Sequence, residues 1–217
     1  MSRVAAFFVA LLSFAPSRAR AETPPERPVD LGIRFGYALP VGAFDAGTRA
    51  NDLSHGGVPL GIDATFRATR APWSLFVGAG FSYAVAIPRL CGSVSECEGS
   101  LGHDVDLLAL ARLRGPRWRA LLPEAELGAG WSWSSRPLDS GGATSTRSFS
   151  GPILLHLAAT PSLVLGSRVR LGVVVGGSVI ATSSSTLEAP GVTRDLHEGA
   201  RLHGTLDVAL RTAIELF

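Results

Sequence analysis

Five histidines are the side chains of this sequence best suited to chemistry. Four of them, His55, His103, His197 and His203, fall near acidic residues such as Asp104. Imidazole and carboxylate groups bind transition metals, but these histidines lie on three separate segments without ligand spacing. We therefore expect no metal site and no cofactor, and we interpret the four as loop or strand-end residues.

The fifth histidine, His156, stands on the polar face of a segment with strand periodicity. A histidine beside a serine and a carboxylate can catalyse acyl transfer, yet the spacing identifies no such partners. We expect a buried histidine satisfied by a neighbouring glutamate or serine, and we assign no catalytic residue. The glycine-rich segment 141–144 lacks the strand-to-helix setting of a phosphate-binding loop and is interpreted as a loop apex.

The first 21 residues are organised like a secretory signal peptide. Arg3 precedes an apolar run at 4–15, and Ala19-Arg20-Ala21 offers a small-x-small cleavage site. The run is too short to cross a bilayer as a helix. We predict export, with residues 1–21 as the signal peptide and residues 22–30 as a short periplasmic leader.

Two cysteines, Cys91 and Cys97, lie close together in the chain. In an exported protein this spacing predicts a local disulfide. On the chain-entropy account, closing so short a loop stabilises the fold by roughly 2 kcal/mol. Two thiols alone are too few for a zinc site.

Eight segments alternate apolar with polar or small residues, which is the period of β-strands. In the first, Leu31 and Ile33 share one face, whereas Gly32 and Arg34 share the other. Outside the apolar run at the start of the chain, no stretch approaches the roughly 20 apolar residues of a transmembrane helix. The segments span residues 31–40, 60–69, 73–86, 103–114, 119–134, 153–165, 169–181 and 202–217. Pro123 and Pro161 fall inside two of them, where proline predicts a bulge or local irregularity.

The connections between these segments alternate in length. Those at 70–72, 115–118 and 166–168 are short, whereas those at 41–59, 87–102, 135–152 and 182–201 are long and polar. Short periplasmic turns and longer external loops are typical of outer-membrane β-barrels.

Charges of both signs lie on the polar face, among many glycines. The interior of a closed eight-stranded barrel is narrow and filled by side chains, so glycines and paired ions suit it. A soluble barrel would turn its apolar face inward instead. We predict a lumen charge network of Arg34, Arg67, Arg112, Arg114, Arg170 and Arg211 with Asp63, Asp106, Glu124, Glu126, Asp207 and Glu215; Asp104 lies on the same face.

Aromatic residues cluster near the predicted strand ends. Bilayer interfaces select two such levels of aromatic side chains. We predict one belt of Trp73 and Trp118 at the turn end and one of Tyr37, Phe81, Tyr83, Trp131 and Trp133 at the loop end.

The final strand ends on Phe217, and such a terminal aromatic resembles the signal for barrel insertion in bacterial outer membranes. Glu215 departs from that pattern, which prefers an apolar residue there. Over residues 31–217 the chain resembles the small outer-membrane β-barrel families, namely OmpA-like transmembrane domains, OmpX-like and OmpW-like proteins. The resemblance rests on strand pattern, loop asymmetry and Phe217, and it selects no single family.

This resemblance implies an eight-stranded, antiparallel, up-and-down transmembrane barrel in the outer membrane of a Gram-negative bacterium. Its expected partners are membrane lipid, lipopolysaccharide and the barrel-insertion machinery, and we expect a monomer. A net charge of +2 gives no reason to expect nucleic-acid binding. We expect a non-enzymatic barrel with a plugged polar lumen, acting structurally or through its surface loops. Two alternatives stay open: a lipid- or lipopolysaccharide-modifying enzyme, and a soluble periplasmic ligand-binding barrel.

The disulfide can be checked by thiol labelling of the secreted protein. We expect a maleimide reagent to label Cys91 and Cys97 only after reduction, because a disulfide leaves no thiol to react. A Cys91→Ser variant, in which Cys97 has no partner, should be labelled without reductant. Equal labelling of the unmodified protein with and without reductant would contradict the pairing.

Overall fold

The computed structural model describes residues 28–43, 54–69, 72–88, 101–140, 143–196 and 201–216. The described chain contains ten β-strands, and no helix in it is long and apolar enough to cross a membrane. The strands are β1 (Val29–Gly42), β2 (Ser54–Arg67), β3 (Ser74–Pro88), β4 (Gly102–Arg114), β5 (Leu121–Ser140), β6 (Ala143–Leu165), β7 (Val169–Thr182), β8 (Ser184–Ala189), β9 (Val192–Asp195) and β10 (Arg201–Leu216).

Eight of these strands close into one antiparallel barrel. The order around the wall is β1, β2, β3, β4, β5, β6, β7 and β10, and β10 returns to pair with β1 from Val29↔Leu216 to Gly42↔His203. In hydrocarbon every backbone polar group needs a partner within the protein, and a closed barrel leaves no open edge among its wall strands. The predicted eight-stranded up-and-down barrel is confirmed.

The apolar face of the barrel points outward. On β10, Leu206, Val208 and Leu210 are 56–58% exposed, whereas the alternating residues Ala209 and Arg211 are 5% and 2% exposed. The same alternation continues around the wall, so leucine, valine and isoleucine cover the exterior while ions and glycines turn toward the axis. A large exposed apolar surface is unusual for a soluble protein and is what a lipid-facing surface requires.

The three connections at one end of the barrel are short, as predicted. The turn between β6 and β7 occupies residues 166–168, and Gly166 adopts a positive φ of 73° that favours glycine. Between β4 and β5, Trp118 and Leu121 exchange backbone hydrogen bonds of 2.8 and 2.9 Å. We call this the turn end of the barrel and the opposite end the loop end.

Two of the long connections contain more strand than predicted. Segment 135–152 was expected to be a loop, but β5 and β6 continue through it as a paired ladder as far as Ser140↔Ala143. Segment 182–201 contains the hairpin β8–β9, which pairs with the first part of β6. The outward face of a strand beyond the bilayer meets water instead of lipid, so the apolar alternation that marks a lipid-facing strand is lost there.

Strand β6 contains a bulge that the sequence interpretation misplaced. Strict alternation over the predicted segment 153–165 would put Ile153 on the exterior with Leu155, but Ile153 faces the lumen at 2% exposure. The register shifts between Ile153 and Leu155, and both Leu154 and Leu155 are exposed on the exterior. An extra residue in a strand reverses the face of everything before it.

The two prolines are not the site of that bulge. Pro123 and Pro161 face each other in register across β5 and β6, and both are exposed. The ladder between β6 and β7 lacks pairs at Thr160 and Pro161, so the irregularity at Pro161 is a local interruption of pairing without a register shift.

The lipid-facing surface predicts a depth-dependent cost for charge. Leu210 lies midway along the outward row of β10, so Leu210→Arg should destabilise the folded barrel by about 2–4 kcal/mol in lipid. Leu202→Arg, at the loop end of the same row, should cost only about 0–1 kcal/mol. Equilibrium unfolding in guanidinium with lipid vesicles measures both. Equal costs at the two positions would contradict the assigned lipid-facing surface.

Candidate functional site

The barrel interior brings most of the chemistry-bearing side chains together. At its turn end, the carboxylate of Asp30 on β1 accepts hydrogen bonds from Arg114 and Arg170 through Oδ2 and from Arg211 through Oδ1, the last at 3.0 Å. These arginines stand on β4, β7 and β10. Asp30 is fully buried, so one carboxylate links four strands across the lumen.

Asp63 of β2 forms the second node of this cluster. Its Oδ1 accepts from Nη2 of Arg112 at 2.9 Å and from Nη2 of Arg211 at 2.7 Å, and its Oδ2 accepts from Nε of Arg211 at 3.1 Å. The neighbouring Gly32 leaves the room these groups need, since a Cβ there would lie 2.7 Å from Nε of Arg211.

Two glutamates of β5 complete the cluster. Glu124 accepts from Nε of Arg114 at 3.0 Å and from Nη1 of Arg170 at 2.6 Å. Glu126 accepts from Nε of Arg112 at 3.0 Å and from Nη2 of Arg34 at 3.2 Å. Guanidinium groups suit such sites because their donors form a fixed fork that matches carboxylate oxygens.

The ion cluster is balanced in charge. Its arginines are Arg34, Arg112, Arg114, Arg170 and Arg211, and its acids are Asp30, Asp63, Glu124, Glu126 and Glu215, which accepts from Arg114 at 2.9 Å. Five positive charges therefore meet five negative charges. Phe76 of β3 covers the guanidinium of Arg114 at 4.1 Å from the ring centre. We call these ten charged residues the ion cluster.

Nine of the twelve predicted lumen charges belong to this cluster. The other three are Arg67, half-buried in register with Phe76, and Asp106 and Asp207, which lie nearer the loop end. The sequence interpretation missed Asp30 because the first strand was begun at Leu31, although Asp30 continues the inward row of Gly32 and Arg34.

Beyond the cluster, the loop-end half of the lumen is a cavity of about 90 Å³. Asp104, Asp106 and Asp207 line it together with several serines. Asp104 is bound by Nη2 of Arg136 at 2.8 and 2.9 Å. Arg136, which was also missed, continues the inward row of Ser132 and Ser134 on β5 into the segment interpreted as loop. We call this cavity the well.

His156 connects the ion cluster with the well. Its Nδ1 lies 2.9 Å from Oγ of Ser178, and its Nε2 lies 3.2 Å from Oε1 of Glu126. The histidine is 4% exposed and stands on β6, between its partners on β5 and β7. Both ring nitrogens of His156 therefore have a hydrogen-bond partner. Serine, histidine and carboxylate contact one another in that order, and all three side chains face the lumen.

The three other histidines in the described residues do not converge. His103 faces outward and its Nδ1 lies 2.6 Å from the hydroxyl of Tyr83, whereas His203 faces the lumen beside Thr182 at 3.1 Å. His55 is exposed, and its carbonyl accepts from Tyr37 at 3.0 Å. Within the described ranges, no three histidine, cysteine or acidic side chains are placed to hold a metal ion.

The predicted aromatic residues lie on the exterior at two ends of the barrel. Trp73 and Trp118 are 46% and 61% exposed beside the turn end. At the loop end, Tyr83 on β3 and Trp133 on β5 share a cross-strand row through Val105. Phe81 and Trp131 form the next row, and Tyr37 is also exposed on the outside.

Several predictions fall outside the described residues. The signal peptide, the Cys91–Cys97 disulfide, His197 and the terminal Phe217 are among them. They therefore stay predictions.

Comparison of the sequence with protein-family models and with curated proteins found no match. Among solved structures, the chain is similar to a major outer membrane protein of Thermus thermophilus, with a TM-score of 0.55 and 13% identity over 86% of this chain and 98% of that one. It is also similar to the outer membrane protease OmpT of Escherichia coli, with a TM-score of 0.50 and 9% identity over 92% and 99% of the two chains. At these identities the likeness shows the fold alone.

A closed antiparallel barrel, an apolar exterior and a polar, ion-filled lumen together define an outer-membrane β-barrel. The predicted likeness to small outer-membrane barrels is confirmed in the fold, and the apolar exterior places the barrel in an outer membrane. The alternative of a soluble periplasmic barrel is wrong. Such a barrel would turn its apolar rows toward the axis, whereas here they lie on the exterior.

The ion cluster predicts a large effect of one neutral substitution. Asp30→Asn removes the charge that faces three buried arginines, so it should destabilise the fold by about 3–5 kcal/mol. Glu188→Gln, on an exposed position of β8, should change stability by less than about 0.5 kcal/mol. Urea unfolding in micelles, followed by heat-modifiable gel migration, compares them. An unchanged midpoint for Asp30→Asn would remove Asp30 from the centre of the cluster.

Proposed function

We propose that this protein is a non-enzymatic outer-membrane barrel with a plugged lumen, which acts as a structural element or by displaying its loop-end segments. The observation that carries this proposal is the ion cluster. Arg112, Arg114 and Arg170 are each at most 2% exposed, and their guanidinium groups cross the lumen to carboxylates on other strands. A passage through the barrel would have to break these paired contacts.

The loop end supports a display role. The β5–β6 hairpin, extended by β8 and β9, forms an ordered sheet that projects beyond the aromatic rows of Trp131 and Trp133. All four residues of β9 are exposed. Ordered strands above a rigid barrel can present a surface to an external partner, with the ion cluster supplying the rigidity below.

The exterior fits a monomer surrounded by lipid. We assign the aromatic residues at the two ends to the two bilayer interfaces, where amphipathic rings are favoured. Membrane lipid and lipopolysaccharide are then the partners of the wall, and the insertion machinery is a partner during assembly.

The contacts of His156 favour a second candidate, an outer-membrane enzyme, because Ser178, His156 and Glu126 are in hydrogen-bonding sequence. Three features weigh against it. The group faces the lumen, where membrane acyl chains do not reach. Glu126 is already held by Arg112 and Arg34. His156 itself is paired with Gly128 of β5 and Ser178 of β7, so its own backbone amide is not free to stabilise an oxyanion.

The plugged lumen predicts that the protein does not conduct ions in planar-bilayer recordings. Folded protein inserted from micelles should give no large stable conductance steps, because the ion cluster fills the turn-end half of the lumen. The control is the same amount of heat-denatured protein in the same detergent. Large unitary steps from the folded protein alone would contradict the plug.

The enzymatic alternative has its own test. Hydrolysis of a short-chain nitrophenyl ester by the folded protein should equal that of Ser178→Ala. Turnover that is abolished by Ser178→Ala and by His156→Ala, while both variants keep their heat-modifiable migration, would favour the enzyme.

A further inference from the structure

The well contains two carboxylates that form no ion pair with an arginine of the described chain. The positive side chains lining it are Arg34 and Arg136, besides the histidines His156 and His203. Arg34 belongs to the balanced ion cluster, and Arg136 is bound to Asp104. Asp106 and Asp207 therefore form no contact with a guanidinium group in the described lumen; the electrostatic influence of His156 reaches both, and that of Arg34 reaches Asp207.

One carboxylate oxygen of Asp106 receives no hydrogen bond in the described structure. Ser132 hydrogen-bonds its carboxylate, but the buried Oδ1 atom has no hydrogen-bond partner in the described structure. An unsatisfied buried charged oxygen is costly. Asp106 lines the well, so a donor that enters the well can approach its carboxylate.

Asp207 faces Asp106 from the opposite wall. Asp106 stands on β4 and Asp207 on β10, and three wall strands separate them in either direction around the barrel. Both line the well, and within the described chain Asp207 has no ion pair or hydrogen bond. A cation between them would meet a negative group on each side.

The remaining walls of the well are partly apolar. Leu108 and Ile180 line it at 8% and 4% exposure, together with Ala209. Low-dielectric walls strengthen the field of a buried charge. The cavity volume of about 90 Å³ is several times the roughly 10–15 Å³ that one water molecule needs on the same measure, so the well has room for a ligand of a few non-hydrogen atoms.

We propose that the well binds the ammonium group of a small primary alkylamine, with Asp106 and Asp207 as acceptors and with Leu108 and Ile180 along the alkyl chain. An ammonium group donates three hydrogen bonds. The carboxylates of Asp106 and Asp207 and a serine hydroxyl such as that of Ser82 can accept them. A metal ion is a poorer fit, because in the described part of the chain no three histidine, cysteine or acidic side chains are placed to hold one. This site is independent of any role of the loop-end segments.

The test is a titration of n-propylammonium chloride into the folded protein in micelles, at low ionic strength and in a buffer without amines. Isothermal titration calorimetry follows the binding, and n-propanol is the neutral probe of nearly the same shape. We expect saturable binding of the ammonium ion and none of the alcohol.

Matched variants locate the site. Asp106→Asn with Asp207→Asn should weaken propylammonium binding at least tenfold, and each single variant should weaken it in the same direction. Glu188→Gln removes one negative charge outside the well and should leave binding unchanged. The thermal midpoint of the unmodified protein should rise with propylammonium, whereas that of the double variant should not.

Three results would overturn the proposal: no saturable binding to the unmodified protein, equal binding of n-propanol, or undiminished binding by the two single variants and the double variant. Heat-modifiable migration checks that each variant is folded. Because the amides keep the size of the carboxylates and remove unpaired charge, we expect all three variants to fold.

Discussion

Hydrocarbon offers no hydrogen-bond partner to a peptide group, and this constraint organises the protein. Strands that cross a bilayer must pair on both sides, so the eight wall strands close when β10 meets β1. Closure at eight strands leaves an interior just wide enough for side chains. The alternation of each strand then sends its apolar residues to lipid and its ions to a narrow lumen, where every buried charge needs a partner.

In the turn-end half of the lumen the buried charges are paired with one another, whereas in the loop-end half two carboxylates have no ion pair. Below, five guanidinium groups and five carboxylates satisfy one another and tie the wall strands together. Above, Asp106 and Asp207 have no arginine of their own. Well-packed apolar residues often replace buried ion pairs without loss of stability, so the value of the ion cluster lies in closing the lumen and fixing which strands face one another across it. The carboxylates of the well can therefore bind a ligand, whereas those of the ion cluster are already bound to arginines.

Sequence periodicity was sufficient to predict the barrel, its orientation and most lumen charges, because lipid outside and ions inside impose opposite chemistry on alternate residues. It failed where that contrast disappears. The ladder of β5 and β6 beyond Ser135 has no apolar row that would face lipid, and the bulge at Leu154 shifts the alternation by one residue without a special residue to mark it. The sequence of one strand could not predict the contacts of His156 with Ser178 and Glu126, nor the unpaired carboxylates of the well. Both involve residues of different strands that come together only when the barrel closes.

The central claim is that leucine rows meet lipid while the ions face the axis, and nitroxide scanning of β10 tests it most directly. Single cysteines at Thr205, Leu206 and Val208, in a chain with Cys91 and Cys97 replaced by serine, would carry the label in lipid vesicles. Labels at Leu206 and Val208 should collide often with oxygen and rarely with a water-soluble nickel chelate, and the label at Thr205 should show the reverse. Oxygen contact at Thr205 with chelate contact at Leu206 and Val208 would turn the barrel inside out and contradict the membrane assignment.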